Sequence, residues 1–230
     1  RFGENTFDAA YPFGQVNLKT PKIPVDVRIK AFNPLIPGDI DNSSIPEAII
    51  DFVLTNTSDK EVSFSICGSI QNFIGEDGAG GKAEDNRNTF REEKGFQGIY
   101  FTSEGVDSAS EQWGNMALVT DSKGAVSYRT EWLPIHWGSS LLDFWDDFSV
   151  RDRLPPQGTK TIRYLLTWYF PNRYAWSPEP LKNYYTTQYH DAWNVALNTV
   201  PALPELEKRT IEFLDKLGNT DLPEEVLEAA

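Results

Sequence analysis

Leu165-Leu166-Thr167-Trp168-Tyr169-Phe170-Pro171-Asn172-Arg173 divides this chain into a part that reads as strands and a part that reads as helices. Ile162, Tyr164, Leu166, Trp168 and Phe170 alternate onto one face, while Leu165 and Tyr169 keep the other face apolar. A strand with two apolar faces is covered on both sides. Pro171 and Asn172 end it, because proline donates nothing to a ladder. Further on, the period changes. Tyr185, Tyr189, Ala192, Trp193, Ala196 and Val200 fall at helical spacing after Leu181-Lys182-Asn183-Tyr184-Tyr185. The stretch therefore predicts a junction between a β domain and a helical region C-terminal to it.

Upstream, residues 13–18 read as a short strand. Val25, Val27, Ile29 and Ala31 alternate with Asp26, Arg28 and Lys30 as a half-exposed one. Residues 49–55 and 62–74, turned by Asn56-Thr57-Ser58-Asp59, predict an antiparallel hairpin. Residues 75–95 are glycine-rich and charged and read as a long surface loop. Strands come next at 99–102, 116–120 and 125–131, the last two joined by Asp121-Ser122-Lys123-Gly124. Residues 141–150 fit either a strand or irregular structure. The pattern is mainly β: a two-sheet antiparallel β-sandwich followed by C-terminal linker helices. The sandwich is expected over residues 1–175 and the helical linker over 176–230.

Within that linker Leu206, Thr210, Phe213, Leu214 and Leu217 form a second amphipathic stripe closed by Gly218. Pro223-Glu224-Glu225 opens a third helix that reaches Ala230 with neither a capping glycine nor a basic last turn, as expected of a trimmed chain. These helices are expected to dock on a partner beyond the 230 residues.

Hydrophobic residues make up 40% and aromatics 13%, enough for a sizeable core. A net charge of −13 argues against nucleic acid or anionic lipid as a partner, since both require a basic face. The lone Cys67 excludes an internal disulfide and reads as a small buried thiol amid Ser63, Ser65 and Ser69. No apolar run reaches the roughly 20 residues that span a bilayer. His136 and His190, the only histidines, supply too few nitrogen ligands for a metal site, so no metal or cofactor is expected.

Asp143, Asp146, Asp147 and Asp152 cluster around Trp145. Paired carboxylates serve glycoside hydrolysis or calcium, but adjacent Asp146 and Asp147 would face opposite sides of a strand. Structural hydrogen bonding is the preferred reading. Gly78, Gly80, Gly81 and Lys82 miss phosphate-loop spacing, with Ala83 where a hydroxyl is needed. All seven tryptophans lie between Trp113 and Trp193. Trp132, His136, Trp137 and Trp145 are close enough in sequence to share a sugar-stacking platform, although large rings more often fill cores and interfaces.

Several of these stretches, in order, resemble one family. They are Leu35-Ile36-Pro37 through Asp41-Asn42-Ser43-Ser44-Ile45-Pro46, Thr55-Asn56-Thr57, Leu142-Asp143-Phe144-Trp145-Asp146-Asp147-Phe148 and Leu166 to Arg173. Tyr184-Tyr185, Asp191-Ala192-Trp193 and Leu222 to Leu227 continue the series. The whole is similar to glycoside hydrolase family 116, the non-lysosomal glucosylceramidase and β-glucosidase type. The resemblance implies an N-terminal β-sandwich, a helical linker and an α/α-barrel that carries the carboxylates for retaining hydrolysis of β-glucosides, glycolipids among them. It places no catalytic residue in this chain. Trp132, His136, Trp137, Trp145, Asp146, Asp147, Trp168, Arg173 and Trp176 become candidates for carbohydrate contact or for the surface facing the barrel, with the 75–95 loop. A stand-alone carbohydrate-binding module using the tryptophan platform is the alternative.

Overall fold

The computed structural model describes residues 2–75, 85–130, 148–176 and 179–220. Strand β11 (Thr159–Tyr169) is its axis. It pairs antiparallel with β4 (Glu47–Asn56) on one side and with β8 (Asn115–Thr120) on the other. Ile162 and Tyr164 point into one apolar cluster and Leu165 into another, so both faces are covered, as the double apolar pattern requires.

The large sheet runs β1 (Glu4–Ala10), β2 (Phe13–Lys19), β3 (Val25–Phe32), β4, β11, β8, β7 (Phe96–Ser103) and β6 (Asn86–Glu93), antiparallel throughout. A three-stranded sheet of β5 (Val62–Cys67), β10 (Phe148–Leu154) and β9 (Ala125–Tyr128) faces it. The fold is a mainly β, two-sheet sandwich followed by helices. Between the sheets lie Leu54, Ile99, Phe101, Met116, Phe148, Val150, Ile162 and Tyr164. The Tyr164 hydroxyl donates to Ile66 O at 2.9 Å and to Phe148 O at 3.1 Å, tying the axis strand to both β5 and β10. Buried tyrosines keep their hydroxyls bonded in this way.

Most strand positions were legible and strand partners were not. β4 and β5 form no hairpin: β4 pairs with β3 and β11, whereas β5 pairs with β10 in the other sheet. The buried Asn56 makes the corner. Its Nδ2 donates to Lys60 O at 2.7 Å and Pro155 O at 3.0 Å, and its Oδ1 accepts from Ser58 N at 2.9 Å. These bonds hold the turn open to the opposite layer. β8 and β9 likewise belong to different sheets. Residues 86–93, expected as loop, form edge strand β6, and β1 is a second strand that the sequence did not announce. Both are sheet edges, where charged residues are tolerated and even useful. Cys67 is exposed, because it falls on the outward phase of β5 with Ser63 and Ser65.

The helical stripe is broken by 3₁₀ turns at Tyr184–Thr187 and Val200–Ala202, leaving α2 (Ala192–Thr199) and α3 (Leu203–Gly218). Helix α2 does not await an outside partner; it covers the outer face of the large sheet. Ala192 and Ala196 are small enough to bring its backbone onto Ala117, Val119 and Leu165. Trp193 wedges beside Phe96 and Tyr100, with ring centroids 5.1 and 6.4 Å apart. Thr167 Oγ1 donates to Ala192 O at 2.7 Å and Ala192 N donates to Asn115 Oδ1 at 2.7 Å. The physical reason is the second apolar face of β11, which has to be removed from water. Asp191 caps the helix, accepting from Asn194 N at 2.6 Å. Asp191→Ala is expected to cost about 1 kcal/mol in urea unfolding. The third helix read at residues 223–230 lies outside the described residues.

Candidate functional site

Six of the nine sequence candidates, Trp132, His136, Trp137, Trp145, Asp146 and Asp147, lie outside the described residues. Of the other three, Trp168 packs against the inner core. Arg173 and Trp176 are on or beside a surface hairpin, with Trp176 99% exposed. Among the described tryptophans, Trp113 also packs inward and Trp193 is buried on the sheet-facing side of α2. The described rings therefore assemble no flat stacking surface. No group of three His, Cys, Asp or Glu among the described residues is placed to hold a metal ion.

The surface hairpin is β12 (Asn172–Tyr174) paired with β13 (Pro180–Lys182), with Arg173 opposite Leu181. Asn172 Nδ2 donates to Ser108 O at 2.7 Å and Ser110 O at 2.9 Å. Tyr174 N donates to Glu111 Oε1 at 2.7 Å, and the Tyr174 hydroxyl donates to Ala109 O at 2.9 Å. At its root the Tyr185 hydroxyl donates to Phe170 O at 2.6 Å and accepts from Phe170 N at 3.1 Å. Pro171 stops the ladder, and this hydroxyl satisfies the backbone groups left over at Phe170. Hydrogen bonds thus fasten β12 to residues 108–111, and Trp176, two residues beyond it, is unburied.

On the outer face of the large sheet, beside α3, lies an open groove of about 560 Å³ lined by Arg28, Lys30, Asp51, Val53, Asp121, Thr159, Thr161 and Arg163. Sequence reasoning singled out none of these. Their signal was the polar phase of β3 (Asp26, Arg28, Lys30), interrupted by Asp51 and Arg163 inside otherwise apolar strands. Asp51 is 2% exposed and takes a bidentate pair from Arg163, at 2.6 and 2.7 Å, with Lys30 Nζ at 3.4 Å. Glu207 on α3 bonds both cations, reaching Arg163 Nη2 at 3.1 Å. Hydrogen bonding to Asp51 holds the Arg163 guanidinium firmly charged. Burial pushes the Asp121 carboxyl up, Arg163 offsetting part of this. Asp51 and Glu207 are both engaged by cations. That arrangement suits a clamp between sheet and helix and not proton transfer.

Glu47 is the second feature that sequence reasoning missed. It is fully buried at the start of β4, and neither carboxylate oxygen has a hydrogen-bond partner among the described residues. The Thr199 hydroxyl at the end of α2 is equally unpaired. Burial pushes the Glu47 carboxyl up to about 7; the Thr199 hydroxyl, near it but outside hydrogen-bond geometry, and the Arg163 charge pull it back only in part. Such a group is protonated below neutrality.

Residues 2–154 match the family model described as "beta-glucosidase 2, glycosyl-hydrolase family 116 N-term". No curated protein matches the chain. Among solved structures, one described as "Putative kojibiose phosphorylase from human microbiome" is similar at 12% identity and a TM-score of 0.44, over 88% of this chain. The chain spans 23% of the length of that protein. Because the family match covers β1 to β10, about two thirds of the sequence, the chain belongs to the N-terminal domain family of the family 116 glycosyl hydrolases.

Proposed function

We propose that this chain is the non-catalytic N-terminal domain of a retaining β-glycosidase of the β-glucosidase or glucosylceramidase type. Residues 1–175 are its sandwich, and 176–230 link it to a catalytic α/α-barrel later in the same polypeptide. Its role is to pack on that barrel and supply part of the wall of the substrate cleft, where a β-glucoside or glycolipid binds. The family match over residues 2–154 is the observation that carries this reading, since that family is by description an N-terminal one. The charge clamp supports it, as Asp51 and Glu207 are both spent on Arg163 and Lys30, the cations that tie the sheet to α3. The exposed Trp176 on its anchored hairpin suits a face that meets another domain.

The test is turnover. Residues 1–230 alone should release no product from an aryl β-glucoside, and a polypeptide extended beyond Ala230 should do so. Hydrolysis by the 230-residue chain would refute the proposal.

A further inference from the structure

Where α2 ends, two buried polar side chains lie close together without a bond. Glu47 is 0% exposed and Thr199 2%. Among the described residues neither Glu47 oxygen has a hydrogen-bond partner, and Thr199 Oγ1 has none either. Glu47 opens β4, opposite Thr167 on β11, and Thr199 is the last residue of α2. The first residue of α2 is fastened differently, since Ala192 is bonded through its O to Thr167 and through its N to Asn115. One end of the helix is thus tied to the sheet, and the other rests on a carboxyl group with nothing to bond.

The elements packed around Glu47 do little for its charged form. Its own face of the sheet carries Asp51, Asp121, Arg163 and Tyr169, with Lys30 beyond Asp51 on β3. Helix α2 has no titratable side chain; Tyr189, His190 and Asp191 precede it, and the first half of α3 brings Glu205, Glu207, Lys208 and Arg209. Asp51, Lys30, Arg163 and Glu207 are bonded to one another, and Arg209 is bonded to Asp39. His190, Glu205 and Lys208 are exposed, and Asp191 caps the far end of α2. Burial keeps the Tyr169 and Tyr189 phenols neutral, helped at Tyr189 by Glu47 and then by Asp41 on the short helix α1 (Ile40–Ser43). Arg163 is the one cation that eases ionisation of Glu47, and only in part. An unpartnered carboxylate in such a place either takes up a proton or must reach water.

We infer that Glu47 is an acid-operated latch for the helical layer: protonated, it lets α2 and the start of α3 seat on the sheet, and ionised, it lifts them at the C-terminal end of α2 until water reaches the carboxylate. Two features make this opening local. At eight residues α2 is too short to persist unaided, so docking on the sheet is what holds it. The strand that carries Glu47 is laddered on both sides, to β3 and to β11, and gives way after the helices do. The carboxyl rises from its ordinary 4.5 to about 7 when the helices are seated. Seating is therefore tightest below pH 4.5, and the advantage fades as the pH climbs through about 7. The latch is independent of whatever lies C-terminal to it.

Hydrogen exchange of the natural polypeptide between pH 5 and 8, corrected for the intrinsic pH dependence of exchange, tests this. Opening of residues 192–206 is expected to rise about fiftyfold across that range and to level off above neutrality. At each pH it should exceed the opening of β11 by at least about tenfold and respond little to low urea, as an opening that exposes little surface does. Glu47→Gln should abolish the rise. Thr199→Val removes the hydroxyl that favours the charged form, so it should keep the rise and move the levelling-off to higher pH. A flat profile over 192–206, or a rise that survives Glu47→Gln, would overturn the inference. So would levelling-off at an unchanged pH in Thr199→Val, which keeps the test open if the glutamine variant fails to fold. Equal opening of 192–206 and β11 at every pH, with one urea slope, would overturn it as well, because Glu47 would then act on the whole fold and on no latch.

Discussion

Replacing Glu47 by glutamine is expected to stabilise the protein at pH 8 by about 3 kcal/mol and to flatten its stability between pH 5 and 8. The side chain is fully buried and its carboxylate oxygens are without partners among the described residues. Its pKa rises from 4.5 to about 7 on folding, chiefly through desolvation. Because the folded value is the higher one, the protonated form stabilises fully below pH 4.5. That contribution is lost as the pH climbs through about 7, where folding has to bury a charge. Arg163 and Tyr189 are the titratable neighbours that sense Glu47. Arg163 stays charged, and Tyr189, pushed up to about 12 by burial and then by Glu47 and Asp41, stays neutral, so neither titrates in this window. Urea unfolding of both proteins at pH 5, 6.5 and 8 checks it. Parallel pH profiles for the native protein and Glu47→Gln would show that Glu47 is ionised in the fold.

The charge clamp should respond in the opposite direction. Asp51→Ala removes the bidentate partner of Arg163, whose own side chain is 17% exposed, and leaves Glu207 as its remaining ion pair. Breaking a buried pair from one side costs about 3–5 kcal/mol, because the surviving charge keeps its desolvation penalty. Replacing both partners, as Asp51→Leu with Arg163→Met, should recover most of that loss, since Lys30 and Glu207 still pair with each other. Urea unfolding measures both. A single variant that loses under about 1 kcal/mol would place Asp51 among ordinary surface pairs. Because the clamp joins β3, β4 and β11 to α3, the single variant should also raise hydrogen exchange in α3 ahead of the strands.

Much of the fold was legible in the alternation of single strands. β3, β4, β8 and β11 lie where the apolar period places them, and β11 has the two covered faces that Leu165 and Ile162 demand. What alternation omits is the partner. A strand of correct period pairs equally well in either sheet until a corner residue such as Asn56 turns the chain. Edge strands β1 and β6 were hidden because an edge exposes polar residues that elsewhere mark loops. The candidate site was less legible. Tryptophan density drew attention to Trp168, which is core, and away from Asp51, Arg163 and Glu207, which lie more than forty residues apart in sequence and meet only through packing.

By itself the sequence determined the class of fold and the family, because the first is carried by local period and the second by an ordered run of motifs; strand β13 (Pro180–Lys182) falls in the stretch that reads as helical. Tertiary structure alone decided the rest. Helix α2 and half of α3 lie on the sheet because the second apolar face of β11 must be shielded from water, and two alanines let a helix approach closely enough to do so. The same packing left Glu47 buried beneath that helix and set Leu203, Leu206 and Thr210 of α3 inside the protein. Both depend on where a helix of given length comes to rest, which no local pattern encodes.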